Sequence, residues 1–133
     1  MEIIYKTNDE MSNFAYCSKI FKGKTPLNGF NKVTETMFEQ IETKEYNSRN
    51  VYFNDTIEGT LYLCYPLSVV IKEKIKFSSL HELIKGIRDT YKKIYRSQKS
   101  MEKYGVWGHG IYDLCIESIK IYEGNIIDVS IGS

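Results

Sequence analysis

The stretch VVIKEKIKFSSLHELIKGIRDTYKKIYRSQK, residues 69–99, changes its hydrophobic period in the middle. In its first part Val69, Ile71, Ile75 and Phe77 alternate with Lys72, Lys74 and Lys76. Period two puts the first set on one side of a half-buried strand and the lysines on the other. Ser79, followed three residues later by Glu82, then reads as a capping box that opens a helix. Leu80, Leu83, Ile84, Ile87, Tyr91, Ile94 and Tyr95 recur at helical spacing and make one apolar stripe over about 79–99. A strand followed by a long amphipathic helix predicts an α+β domain with that helix packed on one face of a sheet.

Working outward, residues 61–65 precede the turn-like Pro66, Leu67 and Ser68 and predict a strand, as do residues 51–53, 113–122 and 126–131. Glu123, Gly124 and Asn125 predict a tight hairpin, because Gly and Asn tolerate positive φ. In the last run Ile127, Val129 and Ile131 face one way and Asp128 and Ser130 the other. Towards the N-terminus, residues 3–5 predict a short strand, and Met11, Phe14, Ala15 and Ser18 predict one side of a short helix capped near Asn8. Residues 23–29 (GKTPLNG) read as a loop, and residues 47–50 as a polar turn. Val33, Met37, Phe38 and Ile41 fit a helix, although β-branched Val33, Thr34 and Thr36 leave strand pairing open. The expectation is one domain over 1–133 with a mostly antiparallel sheet of four to six strands.

The balance of 18 basic to 17 acidic side chains creates no overall field towards nucleic acid or an anionic membrane. Three widely spaced cysteines, Cys17, Cys64 and Cys115, read as reduced core residues of a cytoplasmic protein rather than as a disulfide framework. No apolar run suggests a secretory signal or a membrane span. One alanine, three arginines against fifteen lysines, and 17 isoleucines with 11 tyrosines point to a low-GC bacterium, or to a phage or mobile element of one.

Residues 104–113, YGVWGHGIYD, hold three of the nine glycines, the one tryptophan and one of the two histidines. Gly105, Gly108 and Gly110 permit close backbone approach, Trp107 offers a stacking surface and His109 a donor; with Tyr112 and Asp113 they form a candidate site for a small anionic or nucleotide-like ligand. The structural alternative is a connection in which Trp107 plugs the core. The spacing is not a phosphate loop, since no Lys-Ser/Thr pair follows the glycines. Asp113 would orient the His109 imidazole as a base, with Glu117 nearby, but no nucleophile motif accompanies it, and the expectation is a protein that is not an enzyme. His81 and His109 are too far apart in sequence for a metal motif and no CxxC occurs, so neither metal nor cofactor is implied.

Two surfaces suggest a macromolecular partner. Lys85, Arg88, Lys92, Arg96 and Lys99 make a basic helix stripe that would meet nucleic acid phosphates or an acidic protein, or simply face solvent. Tyr62, with Lys72, Lys74 and Lys76, would form an outer sheet face, open to a partner or to a second copy in a homodimer if no further layer covers it. Absence of catalytic motifs and abundance of tyrosine favour a binding protein. Its class is expected to be an inhibitor or immunity-type protein of a bacterial conflict system, phage or mobile element that blocks a protein target. Small-ligand sequestration through residues 104–113 is the first alternative, and nucleic-acid binding through the helix stripe the second.

Overall fold

The computed structural model describes residues 1–43 and 51–133, and for residues 28–34 the backbone alone. The polar turn expected at 47–50 lies outside the described residues. In chain order the elements are β1 (Glu2–Lys6), α1 (Asn13–Phe21), β2 (Pro26–Met37), α2 (Phe38–Thr43), β3 (Tyr52–Leu63), β4 (Val69–Ser79), α3 (Leu80–Tyr95), α4 (Gln98–Tyr104), a 3-10 turn (Ile111–Asp113), β5 (Cys115–Tyr122) and β6 (Ile126–Gly132). Among the described residues the strands join in one large sheet in the order β1-β4-β3-β6-β5-β2. Its pairings are antiparallel except between β3 and β6, where Thr60, Leu61 and Tyr62 run parallel to Ile126, Ile127 and Asp128. The architecture is α+β, and the expected antiparallel sheet with one long helix gives way to a large mixed sheet with several helices. The sheet is mixed because the chain leaves it through α3 and α4 before returning as β5 and β6.

The stripe of α3 decides where the main core lies. Ser79 Oγ accepts the Glu82 N–H at 3.1 Å, and the Glu82 carboxylate in turn takes the Ser78 hydroxyl at 2.8 Å, so the helix starts where the capping box predicts. Leu80, Leu83, Ile84, Ile87, Tyr91 and Ile94 are buried against Leu61, Leu63, Ile71, Phe77, Ile119 and Ile127 of the sheet. Each such side chain contributes about 1.5–3 kcal/mol on burial, more than helix propensity supplies.

The expectation of one helix to about residue 99 is corrected. The helix α3 stops at Tyr95, and Ser97 caps a second helix, α4, by accepting the Ser100 N–H at 3.1 Å. Ser100 Oγ donates to Lys93 O at 3.0 Å, satisfying a carbonyl in the last turn of α3. A serine whose side chain can cap ends a helix that the following polar residues, with no Gly or Pro among them, would otherwise allow to continue.

Three further readings change. Residues 23–29 are a loop only to Thr25, because Pro26 begins β2, an edge strand, where a missing N–H at the first residue is tolerated. The helix fitted to Val33, Met37, Phe38 and Ile41 survives only as the short α2; its first half pairs with β5 as strand. The first helix is capped by Ser12 rather than Asn8, whose Oδ1 takes the N–H groups of Glu10 and Met11 in the preceding turn. At the β5–β6 hairpin, Gly124 and Asn125 both adopt positive φ, as the turn chemistry predicts.

The second face of the sheet is half covered. Cys17 and Phe21 of α1 pack with Val70, and Tyr62, Cys64, Tyr122 and Ile126 lie against them. Lys74 and Lys76, farther along the same face of β4, are exposed. None of the described helices is long and apolar enough to cross a membrane.

Candidate functional site

The glycine-rich segment is a loop fastened at several points. Gly105 closes α4 at φ 63°, and its N–H donates to Glu102 O at 3.1 Å. Ser68, in the turn between β3 and β4, donates its N–H to Tyr104 O at 3.2 Å and its hydroxyl to Gly105 O at 2.9 Å. Trp107 donates its backbone N–H to Pro66 O at 3.0 Å and its indole N–H to Leu67 O at 3.3 Å. The Tyr95 hydroxyl donates to His109 O at 3.0 Å, and burial, then Asp113 and Tyr65, push Tyr95 up to about 12. These bonds hold the loop against the β3–β4 turn.

Trp107 is held by its backbone and indole N–H groups but remains 45% exposed, so it does not plug the core. The expected His109–Asp113 pair is also replaced. Asp113 Oδ2 accepts the Gly110 N–H at 2.9 Å, closing the 3-10 turn, while His109 Nε2 lies 3.1 Å from Ser133 Oγ. Ser133 Oγ in turn shares a 2.6 Å hydrogen bond with the Tyr65 hydroxyl. Tyr112 is 52% exposed, and Gly108 and Gly110 lie at the surface.

Tyr65 is the hub that sequence reading misses as a site residue. Its ring stands edge-on to Trp107 at 5.4 Å and tilted to His109 and to Phe14, each at 6.1 Å. Phe14, on α1, is 42% exposed. Phe14, Tyr65, Trp107 and His109 therefore form a continuous partly exposed aromatic end. No local signal reveals it, because the four rings come from α1, the β3–β4 turn and the loop after α4.

Beside these rings lies an open cleft of about 620 Å³ between α1 and the half-covered sheet face, with Phe14, Cys17, Lys19, Cys64, Tyr65 and Asp128 in its wall. Cys17 and Cys64 lie in the same wall and the same packed cluster, close enough for each thiol to perturb the other. Interaction with Cys64, then burial and the neighbouring charges, push the Cys17 thiol up, whereas interaction with Cys17 holds Cys64 below the ordinary thiol value against burial and Asp128. Of the three cysteines read as reduced core residues, all are free and Cys17 is buried in the core, whereas Cys64 and Cys115 are only half-buried.

Burial pushes the Asp128 carboxyl above the usual carboxylate range, with Lys120 drawing it partly back. A raised folded value means that the native chain holds this proton more tightly than the unfolded chain. Stability from this group is therefore greatest below the unfolded value and declines as pH rises through the folded one. Asp128→Asn is expected to raise stability at neutral pH by up to about 1 kcal/mol and to give no gain near about pH 3, where both states are protonated. Urea midpoints of both proteins at the two pH values check this; a stabilisation that persists unchanged in acid would exclude the electrostatic cause.

The two expected partner surfaces are altered. Arg88 is only 8% exposed, and its guanidinium bridges Glu42 at 3.2 Å and Asp89 at 2.9 Å. Lys92 also reaches Glu42, at 2.7 Å, and this hydrogen bond leads the effects that hold Glu42 below the usual carboxylate value. The stripe is thus interrupted by acid at its centre, leaving Lys85, Arg96 and Lys99 at the surface but separated. On the sheet, Phe21 packs edge-on to Tyr62 at 5.8 Å, so α1 is the further layer there. Lys72 is half-buried and Lys76 pairs with Glu58 at 3.1 Å.

Among the described residues no three His, Cys, Asp or Glu side chains gather as a metal-holding group. No protein-family model, curated protein or solved structure matches the chain.

Proposed function

We propose that this is a binding protein, not an enzyme, and that it engages a protein target through the aromatic end formed by Phe14, Tyr65, Trp107 and His109. The observation that carries this reading is the contact of these four rings across three separate segments, with Phe14 and Trp107 left partly exposed. Exposed aromatics that are already held in place are good interface anchors, since they offer large contact area and lose little side-chain freedom on binding. Trp107 is held in this way by its indole bond to Leu67 O. The lysine-bearing parts of helix and sheet are less suited to the core of an interface, where charged residues are depleted. Composition supports the biological class: an inhibitor or immunity-type protein of a low-GC bacterial conflict system, phage or mobile element.

A photo-crosslinking amino acid placed at Phe14, Lys76 or Lys85, in protein expressed in a low-GC bacterial host, tests this reading. A protein-sized adduct is expected from position 14 and not from the other two. Adducts confined to position 76 or 85 would move the interface to the lysine surfaces and defeat the proposal.

A second reading has its own observation. Lys19, Lys22, Ser18 and Ser130 lie in the wall of the cleft and would suit a small anionic ligand. Native mass spectrometry after exposure to cell extract would then show an added mass of hundreds of daltons, displaced when Lys19 and Lys22 are both changed to Glu.

A further inference from the structure

We propose that Cys17 and Cys64 form a thiol-modification site, in which Cys64 takes up a small disulfide of the glutathione class and Cys17 resolves it into an intramolecular disulfide tying α1 to the end of β3. Both residues line the same cleft, and they belong to the same packed cluster with Phe21 and Val70. Asn13, one helical turn before Cys17, donates its side-chain N–H to Cys64 O at 2.7 Å and holds this part of α1 over the Cys64 backbone. The two side chains share one cluster and one cleft wall, and each perturbs the ionisation of the other, which places the thiols as close neighbours.

Their environments give them different roles. Cys17 is buried and Cys64 is half-buried, so a small disulfide entering the cleft meets Cys64 first. The neighbouring Cys17 thiol favours the Cys64 thiolate, which is the attacking species in disulfide exchange. Lys19 and Lys22 in the same wall match the carboxylates of a glutathione-type tripeptide.

The chemistry balances in two displacements. The Cys64 thiolate attacks one sulfur of the small disulfide, whose S–S bond breaks and releases one small thiolate, leaving a mixed disulfide on Cys64. Cys17 gives its proton to that departing thiolate, attacks Cys64 Sγ and expels the second small thiolate. The protein loses two hydrogens, and one small disulfide becomes two thiols.

Cys115 supplies an internal control. It lies away from the pair, in a separate hollow beside Met37 and Glu117, and burial followed by nearby Glu117 and Glu35 pushes its thiol up. The fully reduced chain would be incubated with oxidised glutathione, quenched by alkylation at intervals and analysed by intact and peptide mass. A Cys17–Cys64 disulfide is expected to form at least about ten times faster than adducts at Cys115. Cys17→Ser is expected to accumulate glutathione on Cys64. Wild-type protein that stops at the mixed disulfide, or that reacts at Cys115 as fast as at Cys64, would overturn the proposal. The wild-type map decides even if the serine variant folds poorly.

Discussion

Asn13→Ala is expected to cost about 3 kcal/mol of folding stability, although it removes one small polar side chain. Asn13 is buried, and its Nδ2 contacts Cys64 O at 2.7 Å, Leu67 O at 2.8 Å and Val69 O at 3.0 Å. An amide NH2 has two protons, so three carbonyls share them and one bond is bifurcated. Thr7 Oγ1 donates to Asn13 Oδ1 at 3.1 Å and accepts the Asn13 N–H at 2.9 Å. One side chain thus ties the start of α1 to the whole turn between β3 and β4 and to the chain after β1.

Alanine would leave those carbonyls underpaired, those of Leu67 and Val69 at buried positions. Each unsatisfied buried group costs about 1–3 kcal/mol, but Cys64 O keeps the Leu67 N–H and Leu67 O keeps the Trp107 indole. The total is therefore held well below three full penalties. Asn13→Asp separates hydrogen bonding from volume: it is nearly isosteric but sets a carboxylate oxygen against carbonyl oxygens, and its loss at neutral pH should exceed that of alanine. Urea unfolding at pH 7 of the three proteins tests both statements. A loss under about 1 kcal/mol for alanine would show that the turn holds itself together without α1.

Gly105→Ala is expected to cost about 2–3 kcal/mol and to loosen the loop bearing Trp107 and His109. Two effects add. The φ of 63° at Gly105 disfavours any Cβ, by about 1 kcal/mol or somewhat more. An added Cβ would also fall 2.5 Å from Ser68 Cβ and 2.7 Å from Ser68 Oγ. Ser68 cannot simply turn away, because both its N–H and its hydroxyl are bonded to the end of α4.

Gly108→Ala is the matched comparison. Gly108 has a φ of 74°, but a Cβ added there would meet no atom within 4 Å, so only the conformational cost of about 1 kcal/mol applies. Trp107 is the single tryptophan, so emission reports on the surroundings of this one indole. A red shift is expected for Gly105→Ala under native conditions and little change for Gly108→Ala. Equal urea midpoints for the two variants would remove Ser68 from the explanation.

Legibility in the chain follows the range of the interaction. The strand β4, the start of α3 and the β5–β6 hairpin are readable because alternation, a Ser-to-Glu capping pair and a Gly-Asn turn act over a few residues. The end of α3 is not, because the polar residues 96–99 that follow Tyr95 hold no Gly or Pro and are compatible with a continuing helix, and only the Ser97 cap interrupts it. The strand β2 is obscured for another reason: an edge strand opening on Pro26 carries loop punctuation, and its pairing depends on β5, far along the chain. At the candidate site, Trp107 and His109 stand out from glycine density alone. Spacing gives Asp113 the wrong partner, since it does not show that the Gly110 N–H claims its carboxylate.

The α+β class, the side of β4 that faces α3 and the position of the lysine-bearing side are fixed within the chain, because each follows from a period of two or about 3.6 residues. Three-dimensional packing alone brings α1 across the other sheet face, neutralises Arg88 with Glu42, sets Cys17 against Cys64 and gathers Phe14, Tyr65, Trp107 and His109 at one end. Those contacts join residues from separate elements, and packing between elements leaves no periodic trace in either segment.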